Sequence, residues 1–253
     1  MHRTFIKLIL LTLFIALTGG LVYIPSAQGG TEAEMHTYYL PNFVWHKYFL
    51  NSSIILNNTT NTDTIATLIF TPLPVGAPTQ VLYSLTAHQT LLVDDRNLFL
   101  SLPGVYTVRI LADQEVESLV NIYRVRGNAL STYRGLPDEG KTELFFGSMN
   151  PLTWATIQNV SYNIALGTMN LYDYSGSLVS SNPYTISPLG LFSRNSSTVP
   201  VVPDFQGWMA AVGDQSIVGI ISQKVQLPSG EIRFNSMRPA LSKGEVIDRK
   251  SVV

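Results

Sequence analysis

The sequence predicts an all-β chain of two tandem, homologous sandwich modules behind an N-terminal signal peptide. Three observations predict it. No stretch after residue 29 sustains the 3.6-residue apolar period of a long helix. Short runs rich in Val, Ile, Thr, Tyr and Phe recur between clusters of Gly, Pro, Asn and Asp. The second half of the chain returns residues of the first half in the same order.

Residues 1–29 read as a signal peptide: His2, Arg3 and Lys7 give a basic start, residues 8–24 an apolar run, and Ala27, Gln28 and Gly29 a small-x-small exit. Gly19, Gly20 and Pro25 interrupt the run where a peptidase needs extended chain, which favours cleavage over a retained anchor. The expected location is therefore extracytoplasmic, secreted or at the cell surface, with membrane contact only through an uncleaved leader. Removing the leader removes two basic residues and no acid, leaving a mildly acidic remainder.

Candidate strands in the first module are 37–40, 53–57, 65–71, 80–85, 90–93, 106–112 and 116–123. Within 106–112, Tyr106, Val108, Ile110 and Ala112 alternate with Thr107 and Arg109, as a sheet with one wet face requires. Leu111 departs from that parity. One displacement lays Ile55, Asn57 and Phe70 on Ile157, Asn159 and Tyr172, and a displacement shorter by one lays Asp113 and Gln114 on Asp214 and Gln215. The second match continues, with Val116, Leu119 and Val120 falling on Ile217, Ile220 and Ile221. Tyr106 corresponds to Trp208 when one gap is allowed. The modules are placed at 36–124 and 143–237, with 125–142 a linker and 238–253 a tail. Each has about 90 residues and some seven strands, the size of an immunoglobulin-like sandwich without its cysteine pair.

Asn57 and Asn159 at strand ends, the hairpin of Tyr172, Asp173, Tyr174, Ser175 and Gly176, the run Phe205, Gln206 and Gly207, and the Asp-Gln turn before Ile217, Val218, Gly219 and Ile220 together resemble tandem β-sandwich repeats of secreted bacterial cell-surface proteins. More distantly, the module is similar to the single-sandwich sensory rhodopsin transducer family. The resemblance implies a fold and a compartment and brings no catalytic residue. Glu115 and Ser216 stand where such repeats usually carry proline.

Composition narrows the chemistry. Only 13% of residues are charged and the formal net charge is −1, so no broad electrostatic attraction to nucleic acid exists. Absence of cysteine excludes disulfides, thiolate metal sites and Cys nucleophiles. The run from Gly135 to Thr142 matches the phosphate-loop pattern G-x-x-x-x-G-K-T. A working loop follows a buried strand and opens a helix, whereas Gly147 and Pro151 stop any helix here, and Asp138 and Glu139 oppose phosphate. An inter-domain turn is expected instead. His36, His46 and His88 lack metal-ligand spacing, and Asp94, Asp95, Arg96 and Asn97 read as a polar turn rather than a calcium cradle. Asp113 and Asp214 occupy the same place in separate modules, so they read as turn-forming groups that accept backbone N–H bonds, not as a catalytic pair.

These features predict a non-enzymatic structural or adhesive protein, a filament or envelope subunit, with no cofactor and no metal. Its partners would be envelope or extracellular proteins, or further copies of itself. The uncharged segments 53–56 and 155–158, together with 199–202, are candidate exposed edges for strand addition. The alternative is a pair of carbohydrate-binding modules, in which Trp45, placed in a loop over 42–50, and Trp154 would be glycan-contact aromatics.

Overall fold

The computed structural model describes residues 35–74, 76–125, 129–137, 140–150, 153–195, 205–226, 232–237 and 239. The expected leader, the 199–202 edge and, apart from Pro239, the 238–253 tail lie outside the described residues. Every element described is a β-strand, and every pairing is antiparallel.

All seven strands expected in the first half are present: β1 (His36–Trp45), β2 (Leu50–Asn58), β3 (Thr64–Leu73), β4 (Thr79–Leu85), β5 (Thr90–Val93), β6 (Gly104–Ala112) and β7 (Val116–Arg124). Then follow β8 (Ala129–Arg134), β9 (Leu136–Pro137), β10 (Lys141–Met149), β11 (Thr153–Asn159), β12 (Ala165–Asp173), β13 (Leu178–Ile186), β14 (Leu191–Asn195), β15 (Gly207–Gln226) and β16 (Ile232–Met237).

One sheet has the order β4-β3-β6-β1-β9 and a second has β5-β2-β7-β8. Period-two alternation decides what they bury between them. Leu68 and Phe70 of β3 and Val108 and Ile110 of β6 enter one core with Ile54 and Leu56 of β2 and Val116 and Val120 of β7. Their dehydration supplies the main driving force for the layers to associate, about 1.5–3 kcal/mol for each large aliphatic side chain.

The third sheet is organised by β15, a single strand of 20 residues. Its first half lies between β10 and β12, and its second half pairs with β11 and β16. The links β1–β6, β6–β3, β3–β4, β5–β2 and β2–β7 thus have counterparts in β10–β15, β15–β12, β12–β13, β14–β11 and β11–β15. Ile217 and Ile221 of β15 enter a second core with Leu144, Phe146, Met169 and Leu171, whereas Val218 and Ile220, pointing the opposite way, belong to the first core. One strand therefore ties both cores together, and residues Glu34–Val253 cluster as one unit.

Three expectations change. The 125–142 linker contains strands: β8 extends the second sheet beside β7, β9 pairs with β1, and Lys141 and Thr142 already belong to β10. Polar alternation on half-wet strands disguised them as connector. The segments 53–56 and 155–158 are not edges, because β2 lies between β5 and β7 and β11 between β14 and β15. Charge is missing there because both flanks are already hydrogen-bonded. The loop expected over 42–50 is mostly strand, with β1 running through Trp45 and only His46–Phe49 turning.

Candidate contact site

Asp113 and Asp214 both accept backbone N–H bonds, but of the two Asp113 alone lies in a turn. Asp113 Oδ1 accepts from Ile65 N at 3.0 Å and from the Thr64 hydroxyl at 2.5 Å, and Asp214 Oδ1 accepts from Leu166 N at 2.8 Å. The Thr64 hydroxyl and the Ile65 amide hold the Asp113 carboxyl below the usual carboxylate range. In the second half no turn interrupts the strand at Asp214, which lies within β15.

The paired asparagines are Asn58 and Asn159, rather than Asn57 and Asn159. Buried Asn58 donates through Nδ2 to Thr62 O (2.7 Å) and Thr86 O (3.0 Å) and accepts from Thr60 N. Asn159 donates to Asn163 O (2.7 Å) and Ser187 O (3.1 Å) and accepts from Ser161 N. Each amide fastens two turns at one end of its strands. Asn57 points the other way, half-buried, and accepts from the Thr90 hydroxyl at 3.0 Å. Adjacent asparagines at the end of β2 hid which one faces inward.

Trp45 is not a glycan platform. It is buried, stacked on Phe43 at 6.2 Å, with the His46 ring against its edge at 4.5 Å. Trp154 is half-buried on β11, between Asn195 of β14 and Ser222 of β15. The Asp94 carboxylate, a candidate calcium ligand, receives the Arg96 guanidinium at 2.6 Å and the Arg96 amide at 3.0 Å, closing a polar turn. The Arg96 bonds also depress its pKa. Gly140, Lys141 and Thr142 lead into a strand, so the phosphate-loop pattern has no helix N-terminus to offer an anion.

The aromatic feature that does reach solvent is the turn after Trp45. Lys47 and Leu50 exchange both backbone bonds, Leu50 N to Lys47 O at 2.8 Å and Lys47 N to Leu50 O at 3.1 Å, which leaves Tyr48 and Phe49 as a two-residue hairpin loop. Both have positive φ, 55° and 60°, and His46 before them has 46°. Such loops favour Asn-Gly because a Cβ in the left-handed region costs about 1–2 kcal/mol per residue. Here two large aromatic side chains bear that cost while 71% and 87% exposed.

The turn is braced from behind. Asn51, buried beneath it, accepts from His46 N and donates to the Tyr123 hydroxyl, and Val125 N donates to Phe49 O at 3.0 Å. His46, Tyr48, Phe49, Arg124 and Val125 line an open depression of about 840 Å³. Lys47 Nζ sits 5.0 Å from the Tyr48 ring centre. The result is an apolar tip with a cationic fringe from Lys47 and Arg124. None of the five residues that line the depression is a carboxylate. Tyr48 and Phe49 fall in the 42–50 segment read as a loop, while Arg124 and Val125, at and just past the end of β7, are remote from it in sequence.

Compared with known protein families, with curated proteins and with solved structures, the chain matches none.

Proposed function

We propose that this is a secreted or cell-surface structural or adhesive protein, built of two copies of one immunoglobulin-like sandwich, that works by protein contacts and performs no catalysis. The observation that carries the reading is the Tyr48–Phe49 turn. Backbone strain borne by two exposed aromatic residues is retained where the surface itself is used, since Asn-Gly would make the same hairpin at lower cost. A cationic fringe around an apolar tip fits an acidic, partly apolar protein surface in the cell envelope.

The repeat reading is supported by the corresponding strand links and by the matching bonds of Asn58 with Asn159 and of Asp113 with Asp214. In this reading one displacement, the one relating Asp113 to Asp214, applies from β2 to β7 and aligns Asn58 with Asn159. The eighth strand of each copy is β8 or β16, each beside the last strand of its core.

Binding of the purified chain to isolated envelopes tests the function. Phe49→Ser with Tyr48→Ser is expected to lower bound protein at least tenfold, and protease treatment of the envelopes to abolish binding. Undiminished binding by the variant would refute the role of the turn. Binding that survives protease and is competed by envelope polysaccharide would replace the protein partner with a glycan.

A further inference from the structure

Within the chain, the outer face of β6 is covered by two turn tips of the second half. Thr107 Oγ1 donates to Leu189 O at 3.1 Å, and Arg109 Nη1 donates to the Tyr162 hydroxyl at 2.6 Å. Tyr162 lies between β11 and β12, and Leu189 between β13 and β14. This contact buries Thr107 on a face that alternation would leave wet.

The displacement that relates Asp113 to Asp214 relates Thr107 to Trp208 and Leu189 to His88, so the same contact has a second half on each side that is unused among the described residues. The unused tip is built like the used one. His88 N donates to Thr60 O at 3.3 Å and Leu189 N to Ser161 O at 3.2 Å, with φ of 57° and 56°. His88 and Asn61 are exposed and joined by a 2.8 Å side-chain bond. The unused face is aromatic: half-buried Trp208 stacks on Tyr172 at 4.1 Å, with Phe145 at 6.2 Å. Among the described residues the Trp208 indole N–H, a donor only, makes no hydrogen bond.

We propose that the Trp208 face of one chain seats the Asn61–His88 tip of a second copy, repeating between molecules the contact made within each. Trp208 Nε1 donates to the His88 carbonyl, the counterpart of the Leu189 carbonyl that Thr107 reaches. The stacked rings receive the tip in place of Arg109. A second copy is the occupant because its tip has the backbone form that the corresponding internal face already accepts. Face and tip are different surfaces, so the contact is heterologous and leaves one of each free on every pair. Growth then continues into an open filament unless the rotation closes a ring. The inference relies on the repeat reading and names the partner of a surface distinct from the Tyr48–Phe49 turn.

Sedimentation velocity of the purified full chain over a range of micromolar concentrations tests it. The chain is expected to give a concentration-dependent series beyond dimer. Trp208→Glu, which spoils the face, and Asn61→Trp, which spoils the tip, should each be monomeric, while an equimolar mixture should stop at a 1:1 dimer because one intact face meets one intact tip. A monomer at every concentration, a series in either variant, or a wild type that stops at dimer would overturn the proposal. Asn61 is exposed and outside both cores, so Asn61→Trp decides the matter if Trp208→Glu does not fold. Loss of assembly with envelope binding through Tyr48 and Phe49 intact would separate failure of this inference from failure of the proposed function.

Discussion

Replacing Tyr48 by Asn and Phe49 by Gly separates stability from contact. Both native residues hold left-handed φ at a two-residue loop. Relieving that cost at two positions is worth about 2–4 kcal/mol. Glycine returns about 0.5–1 kcal/mol through unfolded-chain entropy, and loss of the Lys47–Tyr48 contact returns a similar amount. Little apolar burial is lost, because both rings are mostly exposed. The net gain is about 1–2 kcal/mol, a rise in Tm of roughly 2–8 °C for a chain of this size. Thermal unfolding by circular dichroism measures it, and envelope binding measured on the same protein should fall at least tenfold. A lower Tm would refute the strain argument. A higher Tm with full binding would refute the assignment of the turn as the contact.

Other substitutions probe the frame. Asn58→Ala and Asn159→Ala each leave buried carbonyls without their donor and should cost about 2–4 kcal/mol in denaturant unfolding, whereas Asn57→Ala should cost under about 1 kcal/mol. Ile217→Ala should cost about 2–5 kcal/mol, since the side chain is fully buried in the second core. The Asp113 carboxyl is held low by Thr64 and Ile65, so its contribution is complete above the unfolded value of about 3.9 and is lost as pH falls through the lower folded value. Asp113→Asn should flatten the acid limb of stability against pH. Burial, with Asp214 nearby, pushes the Tyr184 hydroxyl up to about 12, so its contribution is present below about pH 10 and is lost as pH rises toward the folded value. The Tyr184 share of the phenolate absorbance, read as the difference between the native protein and Tyr184→Phe, should therefore appear together with unfolding.

Alternation made the strands legible in sequence: the burial of Tyr106, Val108, Ile110 and Ala112 and of Val116 and Val120 follows directly from it. What alternation does not contain is the identity of each strand's neighbours. Segments 53–56 and 155–158 therefore looked like bare edges while lying on interior strands of their sheets. Trp45 was misplaced because Asn42 and His46 lend a strand the polarity of a loop, although Asn42 is held through its backbone by the Tyr133 hydroxyl. Trp208 matched Tyr106 by residue type, yet Tyr106 is buried inward and Trp208 stands on the opposite face, against Tyr172. The contact turn was illegible for a sharper reason. Tyr-Phe carries none of the residue chemistry that marks a tight hairpin, so its strain becomes visible only in φ.

The most direct test of a contact function is photo-cross-linking in the intact envelope, with a benzophenone amino acid in place of Phe49. The account predicts one discrete adduct from position 49 and none from an exposed control position such as Leu82 on β4. No adduct from position 49, or the same adducts from both positions, would contradict it.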